Sequence, residues 1–141
     1  MTKLQKIAFV GAFLITACIA VFWHVVLFEQ QFLGLGVYTR MDEPLYFYGV
    51  TAWALEALAL VLVYFLTDWR NGSMLDALKV AWLMGLFAAA SSLFGVAAKV
   101  RIDDLILWFL LTGGFIVLHT TLLGLWLGFV SIRARGEEQR N

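Results

Sequence analysis

The chain has 141 residues, 62% of them hydrophobic and 14% charged, with a mean hydropathy of +0.87. A soluble domain carries about 25% charged residues, so this composition has too little polar surface to cover a water-facing globule. Basic and acidic residues number 10 each and cancel without forming a long basic cluster, which leaves nucleic-acid binding without an electrostatic footing.

Four apolar runs take up most of the length: Ile7–Phe28, Tyr46–Leu66, Val80–Ala98 and Leu105–Ile132, of 22, 21, 19 and 28 residues. Crossing a hydrocarbon core of ~30 Å takes roughly 20 helical residues at ~1.5 Å each. Continuous runs of this kind read as helices, which satisfy their backbone hydrogen bonds internally, and the alternation of a strand barrel is absent. The expected fold is all-α: one integral-membrane, antiparallel four-helix transmembrane bundle over 1–141, with helices near 7–28, 46–66, 75–99 and 105–132.

The first run follows Lys3 and Lys6, a pattern shared with secretory signals, and Ile15-Thr16-Ala17-Cys18 resembles a lipoprotein cleavage box. The apolar run continues for 10 residues past Cys18, however, where a lipoprotein turns polar, so Cys18 reads as a small hydrophobe. As the single cysteine it makes no intrachain disulfide and no CxxC pair. Ala17 and Ala20 share a face with His24, and Trp23 and Glu29 flank that histidine at the outer interface.

The first loop, Glu29 to Leu45, contains Phe32-Leu33-Gly34-Leu35-Gly36-Val37-Tyr38 and the single proline, Pro44. It is too apolar for a solvated loop and reads as lying in the headgroup layer, with Tyr38, Tyr46, Phe47 and Tyr48 in an aromatic belt. In the second run Gly49, Ala52 and Ala59 share a face with Glu56, which directs that carboxyl toward other helices.

The second loop, Asp68-Trp69-Arg70-Asn71-Gly72-Ser73, reads as a short turn in which Ser73 caps the third helix and Asp76 is the acidic partner. Gly85, Ala88, Ser92 and Gly95 form a small-residue stripe ending at Lys99, which can neutralise Asp103, bind a lipid phosphate or snorkel to the interface. The third loop, Arg101-Ile102-Asp103-Asp104, is so short that the last two helices must be antiparallel neighbours. In the fourth run Gly114, Thr121, Gly124 and Gly128 make one stripe, while His119, Thr112 and Trp126 lie nearly opposite it. Both faces want protein contact, which argues for a homo-oligomer or a larger membrane complex. The tail from Arg133 reads as polar and frayed.

Lysine and arginine near helix ends set orientation. Lys3, Lys6, Arg70, Lys79, Arg133, Arg135 and Arg140 fall on one side, and Arg40, Lys99 and Arg101 on the other, so both termini of a multi-pass membrane protein are expected in the cytoplasm.

The chemistry centres on ionisable groups inside the runs, each costing roughly 2.5–3.5 kcal/mol at bilayer depth. Glu56 lies ~15 Å of helix in from Tyr46 and His119 ~21 Å in from Leu105. Both helices start from the same side, so a contact near the midplane follows, with Ser91, Ser92 or Thr112 completing a network. Such a pair can relay a proton or hold the polar head of a ligand; the plainer reading is a static bond made by a protonated glutamic acid. His24 and His119 also invite a haem or pigment, but the expected difference in height of ~15 Å argues against one iron bridging both, leaving single ligation by either. Zinc spacings, nucleophile–base motifs and phosphate-cradling loops are missing.

Trp23-His24-Val25-Val26-Leu27-Phe28, the aromatic loop with Arg40 and Pro44, Lys79 followed by Gly85-Leu86-Phe87, and the glycine-rich last helix occur in an order that resembles small bacterial inner-membrane proteins of about this chain's 141 residues, grouped only as domains of unknown function. The resemblance implies four helices and an uncharacterised role. Small multidrug transporters are similar in size but carry their essential glutamate in helix one, whereas Glu56 is in helix two. Membrane glutathione-transferase-like enzymes are expected to show a polar Arg/Asn/Glu-rich helix, which this chain lacks. The function expected first is a non-catalytic binding or accessory subunit packing in an oligomer or larger membrane complex; the alternatives are a proton-coupled transporter of a small hydrophobic or cationic solute using Glu56, and a lipid-active enzyme using His24 and Glu29. Membrane lipid is the partner common to all three.

Overall fold

The computed structural model describes residues 1–38, 40, 43–67 and 73–138, the last two in backbone only. The described residues form five helices and no strand: α1 (Lys3–Leu27), α2 (Glu29–Gly34), α3 (Tyr46–Leu66), α4 (Met74–Ala97) and α5 (Leu105–Glu138). All but α2 are long and apolar enough to cross a membrane. Thr2 opens α1 through a reciprocal capping box with Gln5. Ser73 caps α4 by accepting from the Asp76 amide, and its hydroxyl donates to the Asp76 carboxylate at 2.8 Å. The rest of the expected second turn, 68–72, lies outside the described residues. Far from fraying at Arg133, α5 stays helical to Glu138.

Helix α5 is the centre of the bundle, packing on α4 and α1, while α3 leans on α1 and less on α4. Three indoles fix the register by donating to backbone carbonyls: Trp126 to Ala8 at 3.0 Å, Trp23 to Leu111 at 3.2 Å and Trp108 to Leu93 at 3.2 Å. These pairings make α1 and α4 antiparallel to α5.

Two cores result. At the end carrying the chain termini, Ala8, Ala12, Ala57, Leu60, Val61, Tyr64, Ala77, Ala81, Leu123 and Leu127 form one cluster. Here a Cβ built on Gly124 would meet the Leu78 Cα at 2.9 Å, so only glycine permits this approach of α5 to α4. Gly128 lies against Met74 in the same way. Thr121, Gly124 and Gly128 of the small-residue stripe of α5 are therefore covered by α4, Gly114 lies against Trp23 of α1, and α1 also covers the opposite face. Both faces of α5 expected to want protein contact make contacts within one chain.

At the other end the core is Phe32, Leu35, Leu93, Ile102, Trp108 and Leu111, with Trp23 and Phe28 against it. Part of the apolar first loop is buried within the bundle, while Leu33 and Tyr38 stay exposed. It folds inward as α2, because burying Phe32 and Leu35 removes more apolar surface than laying them along an interface. Gly36 ends this segment at φ +69°, a conformation glycine adopts without cost.

No α3 residue joins this second core. Tyr46, Phe47 and Tyr48 are exposed, and nothing lies within 4 Å of a Cβ built on Gly49. The expected Gly49/Ala52 packing face is thus overturned: α3 packs through Ala57, Leu60, Val61 and Tyr64, and no residue of its first half is fully buried.

Candidate functional site

Where α3 leaves its neighbours, three helices meet in a polar cluster. The His119 imidazole on α5 reaches Thr16 on α1 through Nε2, in a hydrogen bond of 2.9 Å, and lies 3.6 Å from Glu56 Oε1 on α3 through Nδ1. Thr16 and His119 are buried, while the Glu56 side chain is 39% exposed. The cluster thus has a dry side and an open side.

Thr16 reaches this position through α1's packing stripe, Ala8, Ala12, Thr16 and Ala20, whose spacing of four keeps all of them on one face. The neutral imidazole has two tautomers, each matched to a different state of Glu56. With Thr16 donating to Nε2, the Nδ1 hydrogen faces a Glu56 carboxylate; with Nε2 donating to Thr16, Nδ1 faces a protonated Glu56. The second arrangement holds one proton more than the first, so passing between them takes up one proton from outside the pair, moves the imidazole hydrogen from Nδ1 to Nε2 and turns the Thr16 hydroxyl.

The expected third partners are not at this cluster. Ser92 donates to the Ala88 carbonyl at 2.6 Å, and Ser91 to those of Ala88 at 3.1 Å and Phe87 at 3.4 Å. Thr112 is buried without a hydrogen-bond partner for its hydroxyl. The serines are occupied because Ala89–Phe94 is a π-helical turn, as is Phe22–Leu27 in α1. Wide turns of this kind break the regular ladder, and side-chain donors pick up carbonyls beside them. His24 shows the same behaviour: Nδ1 donates to the Ala20 carbonyl at 3.0 Å instead of engaging Glu29, which sits in the first turn of α2.

The His24 ring stacks on Phe32 at 4.6 Å and meets Phe115 edge-on at 4.7 Å, and Phe115 stacks on His119 at 5.2 Å. The two histidines are therefore nearer than the height difference expected from the run ends, because hydropathy boundaries do not report helix register. A single phenyl ring fills the space between them, so the pair does not fit a shared bis-histidine haem. Among the described residues no group of three or more His, Cys, Asp or Glu is placed to hold a metal ion. Trp23, expected at the lipid interface, packs on Phe28 at 4.7 Å and bonds α5. Lys99 is exposed at the end of α4 and makes no ion pair with Asp103. Tyr38, beyond the long helices, rests against Phe32 and Trp108, and burial pushes its phenol up.

The open side of Glu56 faces a cleft of about 340 Å³ between α3 and α4. Its walls include Leu55, Ala59, Leu60, Met84, Phe87 and Ala88, with Ser91 and Thr120 as further polar groups. Sequence reasoning missed Thr16, Phe115 and Thr120 in this neighbourhood. Thr16 carried a usable signal in its alanine stripe; Phe115 carried none beyond lying four residues before His119.

Compared with known proteins, the chain matches no family model and has no significant match among curated proteins or solved structures. The resemblance to small uncharacterised four-helix proteins rests on the residues quoted above.

Proposed function

We propose that this chain is a multi-pass protein of the bacterial inner membrane, both termini cytoplasmic, in which Glu56 and His119 exchange a proton linked to the binding or transport of a small solute. The observation that carries this reading is the asymmetry of the cluster. His119 bridges Glu56 and a buried Thr16 across three helices, and the Glu56 carboxyl also faces a cleft. A static bond would bury both partners, whereas a group that must gain and lose a proton needs an open side. The accessory-subunit reading, the first one drawn from the sequence, rests on two faces of α5 that both want protein contact; both make contacts inside the chain, which takes away that argument for an outside partner. The lipid-active enzyme has no support from His24, whose ring is enclosed by aromatic side chains and whose Nδ1 is tied to its own helix.

The test is an infrared difference spectrum of the reconstituted protein between acidic and neutral pH. A protonated-carboxyl band is expected, lost in Glu56→Gln and shifted in His119→Gln. A spectrum identical in wild type and Glu56→Gln overturns the reading.

A further inference from the structure

The cleft beside Glu56 carries a conclusion about its ligand, one that rests on the proton-exchange reading. Its surface is almost wholly apolar, and its polar groups are unequal. The Ser91 hydroxyl donates to the Phe87 and Ala88 carbonyls, and the Thr120 hydroxyl to the Ile116 carbonyl at 2.7 Å. Glu56 has capacity to spare, since its one described polar contact is the 3.6 Å approach to His119. Among the described residues no cationic side chain lines the cleft. A carboxylate facing an apolar space without a counter-charge costs several kcal/mol, so the cleft favours whatever brings positive charge to it.

Three kinds of positive charge compete for this role besides the proton. A hard metal ion wants about six or more oxygen ligands, which one carboxylate and two engaged hydroxyls do not supply. The ammonium of a membrane lipid stays in the headgroup layer, whereas Glu56 lies ~15 Å along α3 from Tyr46. An organic monocation with an apolar body meets every feature: hydrocarbon for the walls, one charge for Glu56, and the exposed Phe87 ring for a cation–π contact. The fold also offers a path to the site. The first half of α3 stands off from the second core, so the cleft opens sideways between α3 and α4.

We propose that the α3–α4 cleft binds a lipophilic organic monocation that arrives laterally from the bilayer, and that this cation and a proton compete for Glu56. The exchange balances as protonated Glu56 plus cation giving the carboxylate–cation pair plus one released proton. The titratable group facing Glu56 is His119 from α5; α1 contributes Thr16 and α4 contributes Ser91, neither of which titrates in the working range.

The experiment uses the full chain in phosphatidylcholine nanodiscs, with dodecyltrimethylammonium as probe and dodecanol as its neutral control. Calorimetry and proton release into a weakly buffered medium are read together. Saturable ammonium binding is expected, with about one proton released per molecule, and a loss of about tenfold or more in affinity in Glu56→Gln. Dodecanol releases no proton and behaves alike in both proteins. Ala59→Leu fills the cleft without removing the carboxylate, so it should lose ammonium binding while keeping the infrared band of Glu56. Equal affinity for ammonium and alcohol, or unchanged ammonium binding in Glu56→Gln, overturns the cation proposal and leaves proton exchange standing if the band is present. Absence of the band sinks both. Ammonium binding that disappears when phosphatidylethanolamine is added assigns the cleft to a lipid headgroup and overturns the free cation.

Discussion

The two ends of the bundle hold the same helices together by different means. At the end carrying the termini, alanines and glycines let backbones approach, and α1, α3, α4 and α5 all contribute to one core. At the other end, aromatic rings and indole hydrogen bonds take over, α3 contributes nothing, and α1 and α4 each widen into a π-helical turn. Close packing of small side chains leaves no room for a ligand. Large rings make stiff walls and tolerate a gap. Glu56 sits at the boundary, one residue before α3 begins to pack through Ala57. The candidate site is therefore a product of the mismatch between the ends, held on its dry side by the tight core and open on the side that α3 abandons.

The strongest way to break that contrast is Gly124→Leu. The added side chain meets Leu78 backbone, which cannot swing aside as a side-chain tip can. Overpacking of this kind costs about 1–3 kcal/mol, and the upper part of that range is expected here. Titration with denaturing detergent, followed by helix content, measures it. Retention of full stability would mean that α4 and α5 are not locked at this glycine.

Next in size is Trp108→Phe at the aromatic end. Its indole donates to the Leu93 carbonyl inside the second π-helical turn, and both residues are buried. Leaving that carbonyl unpaired costs about 1–3 kcal/mol. Hydrogen exchange should show the loss around Ala89–Phe94 before it shows in the tight core, because the effect is local to one end. Uniform loosening of both ends would mean that they unfold as one unit.

A smaller effect is expected from Thr16→Val, which keeps the shape of the side chain and removes the partner of His119 Nε2. The cost should be about 1 kcal/mol, since the imidazole can recover part of its bonding through Glu56. Nitrogen chemical shifts of His119 are the sharper readout: the tautomer balance should move toward the form that donates to Glu56. Unchanged shifts would remove Thr16 from the cluster.

The sequence made some of this legible and hid the rest for physical reasons. Run length and hydropathy marked four helices because hydrophobic span length is a property of each helix alone. Glu56 and His119 could be brought to similar depth because α3 and α5 start from the same end. Thr16 was passed over since a helical threonine usually bonds its own backbone, and only a partner on another helix changes that. The inward fold of Phe32 and Leu35 depended on a cavity that three other segments build. Gly49 and Ala52 looked like a packing face because small residues permit close approach, yet they do not require it. The π-helical turns had no sequence signal of their own, and they are what diverted Ser91 and Ser92 from the expected network.

The smallest expected effect is the most informative about α3. Gly49→Leu adds a large side chain where nothing lies within 4 Å of an added Cβ, so stability should stay within about 0.5 kcal/mol of the parent. Replacing glycine inside a helix also removes an entropic handicap of about 1 kcal/mol, which can tip the result slightly toward stabilisation. A large loss would mean that the first half of α3 closes onto the bundle in the membrane and that Gly49 is its contact point. In that event the cleft beside Glu56 is one position of a moving helix, and the Gly49/Ala52 face is its closed state. An unchanged protein keeps α3 open and the cleft a permanent feature of the fold.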